Sequence, residues 1–203
     1  MQAVERETLI LYHSDLCGEW PEAAGRAFAA RLPYQRRLAL RTSRDADRAS
    51  LAGIALALRA LGQVLGRRVS AGELQFGAHR KPRLAAHAAD AAPDFSISHA
   101  GNYVGCVAVA RGQVGFDVEV GTQPRVARWV LHEAALKATG EGLRGVRAAA
   151  EPQLRADGAL WRGQHWQVRW LELFPGAAAA VVASLPVHAL EAHAVALAEL
   201  FAP

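Results

Sequence analysis

Asp117 and Glu119 stand two residues apart in the run Gln113-Val114-Gly115-Phe116-Asp117-Val118-Glu119-Val120. In a strand that spacing sends both carboxylates to one face and Val114, Phe116, Val118 and Val120 to the other. Two carboxylates on one face repel unless a cation lies between them, and oxygen-only ligands suit magnesium better than zinc. A plain solvent-exposed strand face gives the same pattern. Glu133 and Lys137 stand four apart and share a helix face, which an ordinary surface ion pair would also produce. That helix begins soon after Val120 and must pack back on the strand it has left, which would bring Glu133 beside Asp117 and Glu119 as a third oxygen donor. Lys137, one turn on, would then reach a phosphate bridged by the metal. Three carboxylates and a lysine are what phosphoryl-group chemistry requires: a metal to neutralise oxygens and a cation for the leaving group. Ser98 and His99 end an expected strand just before Gly101, where side chains meet solvent. A hydroxyl and an imidazole there can bind phosphate, and a simple capped strand end is the alternative.

The elements that must hold these residues follow from periodicity. Residues 7–13 read as an opening strand and residues 20–32 as a helix with Pro21 in its first turn. Ser43 to Leu65 carries the clearest helical face, through Leu51, Ile54, Ala55, Leu58, Leu61 and Leu65. Residues 77–93 are loop-like and 94–98 a short strand. Residues 103–110 and 113–120 read as two strands around the Arg111-Gly112 turn. A helix over 126–139 ends at Gly140. Residues 159–174 form a hairpin with Trp161, Trp166 and Trp170 in its core, 178–185 a last strand, and Ala189–Phe201 a closing helix. A helix followed by short antiparallel strands occurs in each half, so the expected class is α+β, in two halves, 1–110 and 111–203.

Composition narrows the partners. The chain has 203 residues, 23 basic against 19 acidic, and a net charge of +4. Only Lys81 and Lys137 are lysines, and arginine supplies every other basic residue. No uninterrupted apolar run is long enough to span a membrane, no signal peptide is visible, and the two cysteines Cys17 and Cys106 lie far apart. A cytoplasmic location is the expectation. The arginines are dispersed and no nucleic-acid motif occurs, so the basic charge fits a phosphate-bearing small molecule or an acidic protein better than nucleic acid. Gly140–Gly145 matches G-x-G-x-x-G but follows a helix, and His132-Glu133 lacks the second histidine of a zinc-protease motif.

Three stretches together, Phe95-Ser96-Ile97-Ser98-His99-Ala100-Gly101, then Val114-Gly115-Phe116-Asp117-Val118-Glu119, then Trp129–Leu143 with Glu133-Ala134-Ala135-Leu136-Lys137, resemble the 4′-phosphopantetheinyl transferase superfamily. The closest similarity is to its longer, pseudo-dimeric type, which activates peptide and polyketide synthases. Lys81-Pro82 resembles that family's Gly-Lys-Pro element with Arg80 in place of glycine. Arg44-Asp45-Ala46-Asp47-Arg48 resembles its Asp-x-x-Arg helix start. The resemblance spans roughly residues 33–145. It implies a pseudo-dimer of two similar α+β halves in one monomeric chain. It implies an enzyme that moves the phosphopantetheine arm of coenzyme A to a serine of an acyl or peptidyl carrier protein, releasing adenosine 3′,5′-bisphosphate. By that resemblance Asp117, Glu119 and Glu133 bind magnesium, or manganese. Glu133 accepts the serine proton and Lys137 serves the departing phosphate. Ser98, His99, His132 and Lys137 meet coenzyme A phosphates, Lys81 lies by the adenine nucleotide, and Arg48 and Arg36 belong to the basic nucleotide region.

Two departures stand out. His132 takes the place of a usual lysine, so phosphate binding there would weaken as pH rises. Glu133 follows Glu119 by only 14 positions, where the longer type carries an insert that helps dock the carrier. A turn at Gly121–Pro124 still suffices to build the metal site. Two rival readings remain: a non-catalytic coenzyme A- or carrier-binding relative, and a metal-dependent phosphodiester hydrolase on coenzyme A-like nucleotides.

Overall fold

Two sheets and the helices on their outer faces set the architecture. A computed structural model of the chain describes residues 7–33, 44–76, 81–85, 92–140, 152–155 and 158–202. In order, these are β1 (Glu7–Asp15), α1 (Glu22–Ala30), α2 (Arg44–Leu65), β2 (Leu74–Gln75), β3 (Arg83–Leu84), β4 (Asp94–Ala100), β5 (Tyr103–Val109), β6 (Val114–Val120), α3 (Pro124–Thr139), β7 (Gln153–Arg155), β8 (Gly158–Trp161), β9 (Gln164–Trp170), β10 (Ala177–Ala183) and β11 (Val187–Ala194). The class is mixed α+β. One sheet runs β11-β1-β5-β4, the other β6-β10-β9-β8-β7, and β2 pairs with β3.

Alternation along the strands builds three apolar layers. Ile10, Phe95, Val104 and Cys106 face α1 and α2 and meet Ile54, Leu56 and Leu61. Leu9, Leu11 and Val107 point the other way and meet Phe116, Val118 and Val181 between the two sheets. Ala134, Ala135 and Leu136 of α3 cover the outer face of the second sheet, over Trp161, Trp166 and Val182. The order is therefore helices, sheet, sheet, helix. In the middle layer Val114, Phe116 and Val118 are fully buried, as their alternation with Asp117 and Glu119 requires. Val120, at the strand end, is 59% exposed.

Four expectations change. Residues 189–201 do not form a helix: 187–194 are β11, parallel to β1, followed by a short 3-10 turn at Leu197–Glu199. Alanine favours helix locally, but the open edge of β1 offers this segment backbone partners from Glu7 to His13, and tertiary pairing overrides a weak propensity. The strands flanking Arg111-Gly112 do not pair with each other. β5 pairs with β1 and β4, and β6 pairs with β10, so the chain changes sheet at this turn. The expected tryptophan hairpin exists around Arg162-Gly163, both at positive φ, and buries Trp161 and Trp166, whereas Trp170 is 45% exposed. Finally, Asp47–Leu65 of α2 is long and apolar enough by composition to cross a membrane, although no uninterrupted apolar run is visible; here half of it is buried, against the first sheet.

Candidate active site

The strand β6 carries the first two carboxylates and α3 the third, and one glycine sets their separation. A Cβ at Gly115 would lie 1.8 Å from the Ala134 carbonyl oxygen and 2.5 Å from the Ala138 nitrogen. Only hydrogen fits there, so α3 rests directly on the backbone of β6. The connection is short: Gly121 turns at φ +117, its N–H donates to the Gly176 carbonyl (2.8 Å), and Pro124 opens α3. At the other end Gly140 closes α3 in the left-handed conformation, its N–H on the Leu136 and Lys137 carbonyls.

This packing brings Asp117, Glu119 and Glu133 together, with one ligand atom from each lying within 4.8 Å of the others. Asp117 is 1% exposed. Its Oδ1 accepts from Ser98 Oγ (2.7 Å) and from Lys137 Nζ (2.5 Å), while its Oδ2 is buried with no hydrogen-bond partner among the described residues. Lys137 also donates to Ser98 Oγ (2.8 Å) and lies 3.8 Å from Glu133 Oε2. One lysine thus faces three carboxylates. Burial first, and then the Asp117 charge, push the Glu133 carboxyl up to about 7. The same two causes raise Glu119. A buried acceptor with an unused lone pair, in an all-oxygen set carrying excess negative charge, fits a hard divalent cation.

Ser98 differs from its expected setting. It is 5% exposed and sits inside the cluster, bridging Asp117 to Lys137 and accepting from the Val118 N–H (3.4 Å). The neighbouring His99 is exposed, as alternation in β4 requires. His132 is buried on α3 with its ring against Trp129, and its Nε2 has no partner among the described residues. Arg36 lies outside the described residues. Arg48 is held by Glu22 (2.7 Å) and stacks over Trp20, away from the carboxylates in its contacts.

Lys81 is also tied internally. Its ammonium pairs with Asp94 and donates to the Val114 carbonyl (2.6 Å). Burial pushes its pKa down against the opposing pull of Asp94. Asp94 in turn accepts from the Val114 N–H (2.7 Å), and Ser96 Oγ from the Phe116 N–H (3.0 Å). With Ser98 on Val118, three alternate side chains of β4 satisfy three alternate N–H groups of β6, joining the edge strands of the two sheets by a side-chain seam. Asp94 and Ser96 were not singled out from the sequence. Their signal is the period-two series Asp94-x-Ser96-x-Ser98 with the apolar Phe95 and Ile97 between its members.

The arrangement offers a proton acceptor of near-neutral pKa, a cation one helical turn away, and an anionic cradle for a divalent ion. No protein-family model matches the chain, and no curated protein matches it.

Proposed function

We propose that the protein is a divalent-cation-dependent 4′-phosphopantetheinyl transferase acting on coenzyme A and a serine of an acyl or peptidyl carrier protein. The observation that carries this reading is the convergence of Asp117, Glu119 and Glu133, with Lys137 at the same spot, around a buried Asp117 oxygen that has no partner among the described residues. Asp117, Glu119 and Glu133 would hold the cation, magnesium being the expected one and manganese a substitute. When bound, it supplies charge neutralisation for pyrophosphate oxygens. On this reading the two sheets with their helices correspond to the two halves of a pseudo-dimer, except that β11 crosses back from residues 187–194 to complete the first sheet. The expected setting is the cytoplasm.

In the reaction the serine Oγ bonds to the β-phosphorus of coenzyme A as the bond from that phosphorus to the bridging oxygen breaks. The serine proton passes to the Glu133 carboxylate, directly or through water. Lys137 faces the departing phosphate oxygen with its ammonium, held in place by Ser98 and Asp117. No covalent enzyme intermediate is needed, and positioning supplies much of the rate. Lys81 supports the site by fixing β4 against β6 through Asp94 and Val114.

The test is incubation with coenzyme A, magnesium and a panel of apo carrier proteins, read by intact mass. A phosphopantetheine mass gain on the carrier serine, absent with a chelator, is the expected result. Coenzyme A binding without transfer to any carrier would favour a binding protein. Nucleotide release without a carrier would favour a hydrolase.

A further inference from the structure

Away from the carboxylates, α1, the second half of α2, the turn after it and the C-terminal turn enclose a cavity of about 710 Å³. That volume falls within the several-hundred-Å³ range of small-molecule sites. Its floor is apolar: Phe28, Val69, Leu200 and Phe201 are buried, and Leu58 is half-buried. Its rim is cationic: Arg31, Arg59, Arg67 and Arg68 line it, and no acidic side chain does. None of Asp117, Glu119, Glu133 or Lys137 takes part.

The four arginines do different things. Arg59 Nη2 donates to the carbonyls of Glu199 (2.7 Å) and Ala202 (3.4 Å), so it pins the C-terminal turn as one wall. Arg67 pairs with Glu73 (2.7 Å). Arg31 lies over the Phe28 ring, 5.7 Å from its centroid, and Arg68 is exposed. Neither of these last two has an acidic partner among the described residues. Two carbonyls of the last turn of α2 are already engaged: the Gly66 N–H donates to the Gln63 carbonyl and the Arg67 N–H to that of Gly62.

A bare anion on this rim would gain only screened contacts. A neutral apolar ligand would gain nothing from the guanidiniums of Arg31 and Arg68, which have no acidic partner among the described residues. We propose that this cavity is a second ligand site, separate from the carboxylate cluster, for an amphipathic anion: an apolar chain or ring bearing one carboxylate or phosphate. The inference stands whether or not the protein is a transferase.

Calorimetric titration of the full chain with decanoate, decyl phosphate and 1-decanol tests it. At least one of the two anions is expected to bind saturably at one per chain, about tenfold or more tighter than decanol, and the tighter anion identifies the head group. The double variant Arg31→Gln/Arg68→Gln is expected to weaken that binding about tenfold, as two screened charge contacts would. Leu58→Trp, which fills the cavity, is expected to abolish it in a protein whose melting curve shows it folded. If Leu58→Trp misfolds, the arginine variant at its exposed positions decides alone. Decanol binding as tightly as the anions, no saturable binding of either anion, or anion binding unchanged in the double variant would each overturn the proposal.

Discussion

At the scale of single residues, Glu133 couples stability to pH, and under the proposed function it also takes the serine proton. Its carboxyl titrates near 7 in the folded chain against an ordinary value of 4.5, through burial and the Asp117 charge. Between those two values the folded state holds more protons than the unfolded one. Stability is therefore fully present below about 4.5 and is lost as pH rises through about 7. The metal-free protein should show a melting temperature that falls from pH 5 to pH 8. Calorimetry in a chelator checks this, and a flat profile would refute the raised Glu133 carboxyl. Added magnesium should restore stability most at the high end of that range, because protons compete for the same carboxylates. Glu133→Gln should flatten the profile and remove most of the magnesium effect. Glu133→Ala should lower carrier transfer by about 10²-fold or more with the fold retained; near-normal transfer would sink the assignment. Ser98→Ala should destabilise by about 1–3 kcal/mol in urea unfolding, since the buried Val118 N–H and Asp117 each lose a partner.

Among the elements, the β6–α3 unit is the one whose geometry makes the site. Its glycine contact is intolerant of any side chain, because the obstructing atoms are backbone of α3 and cannot rotate away. Gly115→Ala should therefore destabilise by about 3 kcal/mol or more and push α3 off the strand. Separating Glu133 from Asp117 and Glu119 should weaken magnesium-dependent stabilisation along with transfer. Unchanged melting and magnesium response in this variant would contradict the packing. The short turn at Gly121–Pro124 shows that the carboxylate cluster does not need a long insert between its two halves.

At the scale of the whole molecule, two sheet edges meet through side chains rather than through a shared ladder. Asp94 is the keystone of that seam, because it serves both the Lys81 ammonium and the Val114 N–H. Asp94→Ala should destabilise by about 3 kcal/mol or more, leaving a buried ammonium unpaired, whereas Ser96→Ala should lose about 1–2 kcal/mol. Urea unfolding of both variants checks the ranking, and equal losses would show that Lys81 is not dependent on Asp94. The apolar α2 fits the same scale, since its hydrophobicity serves the core between it and the first sheet.

Much of the site was legible in the chain itself because its determinants are local. The two-residue spacing of Asp117 and Glu119 and the four-residue spacing of Glu133 and Lys137 depend only on strand and helix period. A connection of few residues leaves α3 little choice but to fold back on β6. Gly140 as a helix end needs no tertiary information either. What lay beyond reach was decided by partners distant in sequence. Residues 187–194 became a strand because β1 had an open edge, against the helical preference of their alanines. Ser98 turned inward because β6 brought unsatisfied N–H groups and a buried carboxylate to that face. Lys81, equally rare by type as Lys137, is committed to Asp94 and the Val114 carbonyl. Local periodicity determines which way a side chain can point, and tertiary packing alone decides what it finds there.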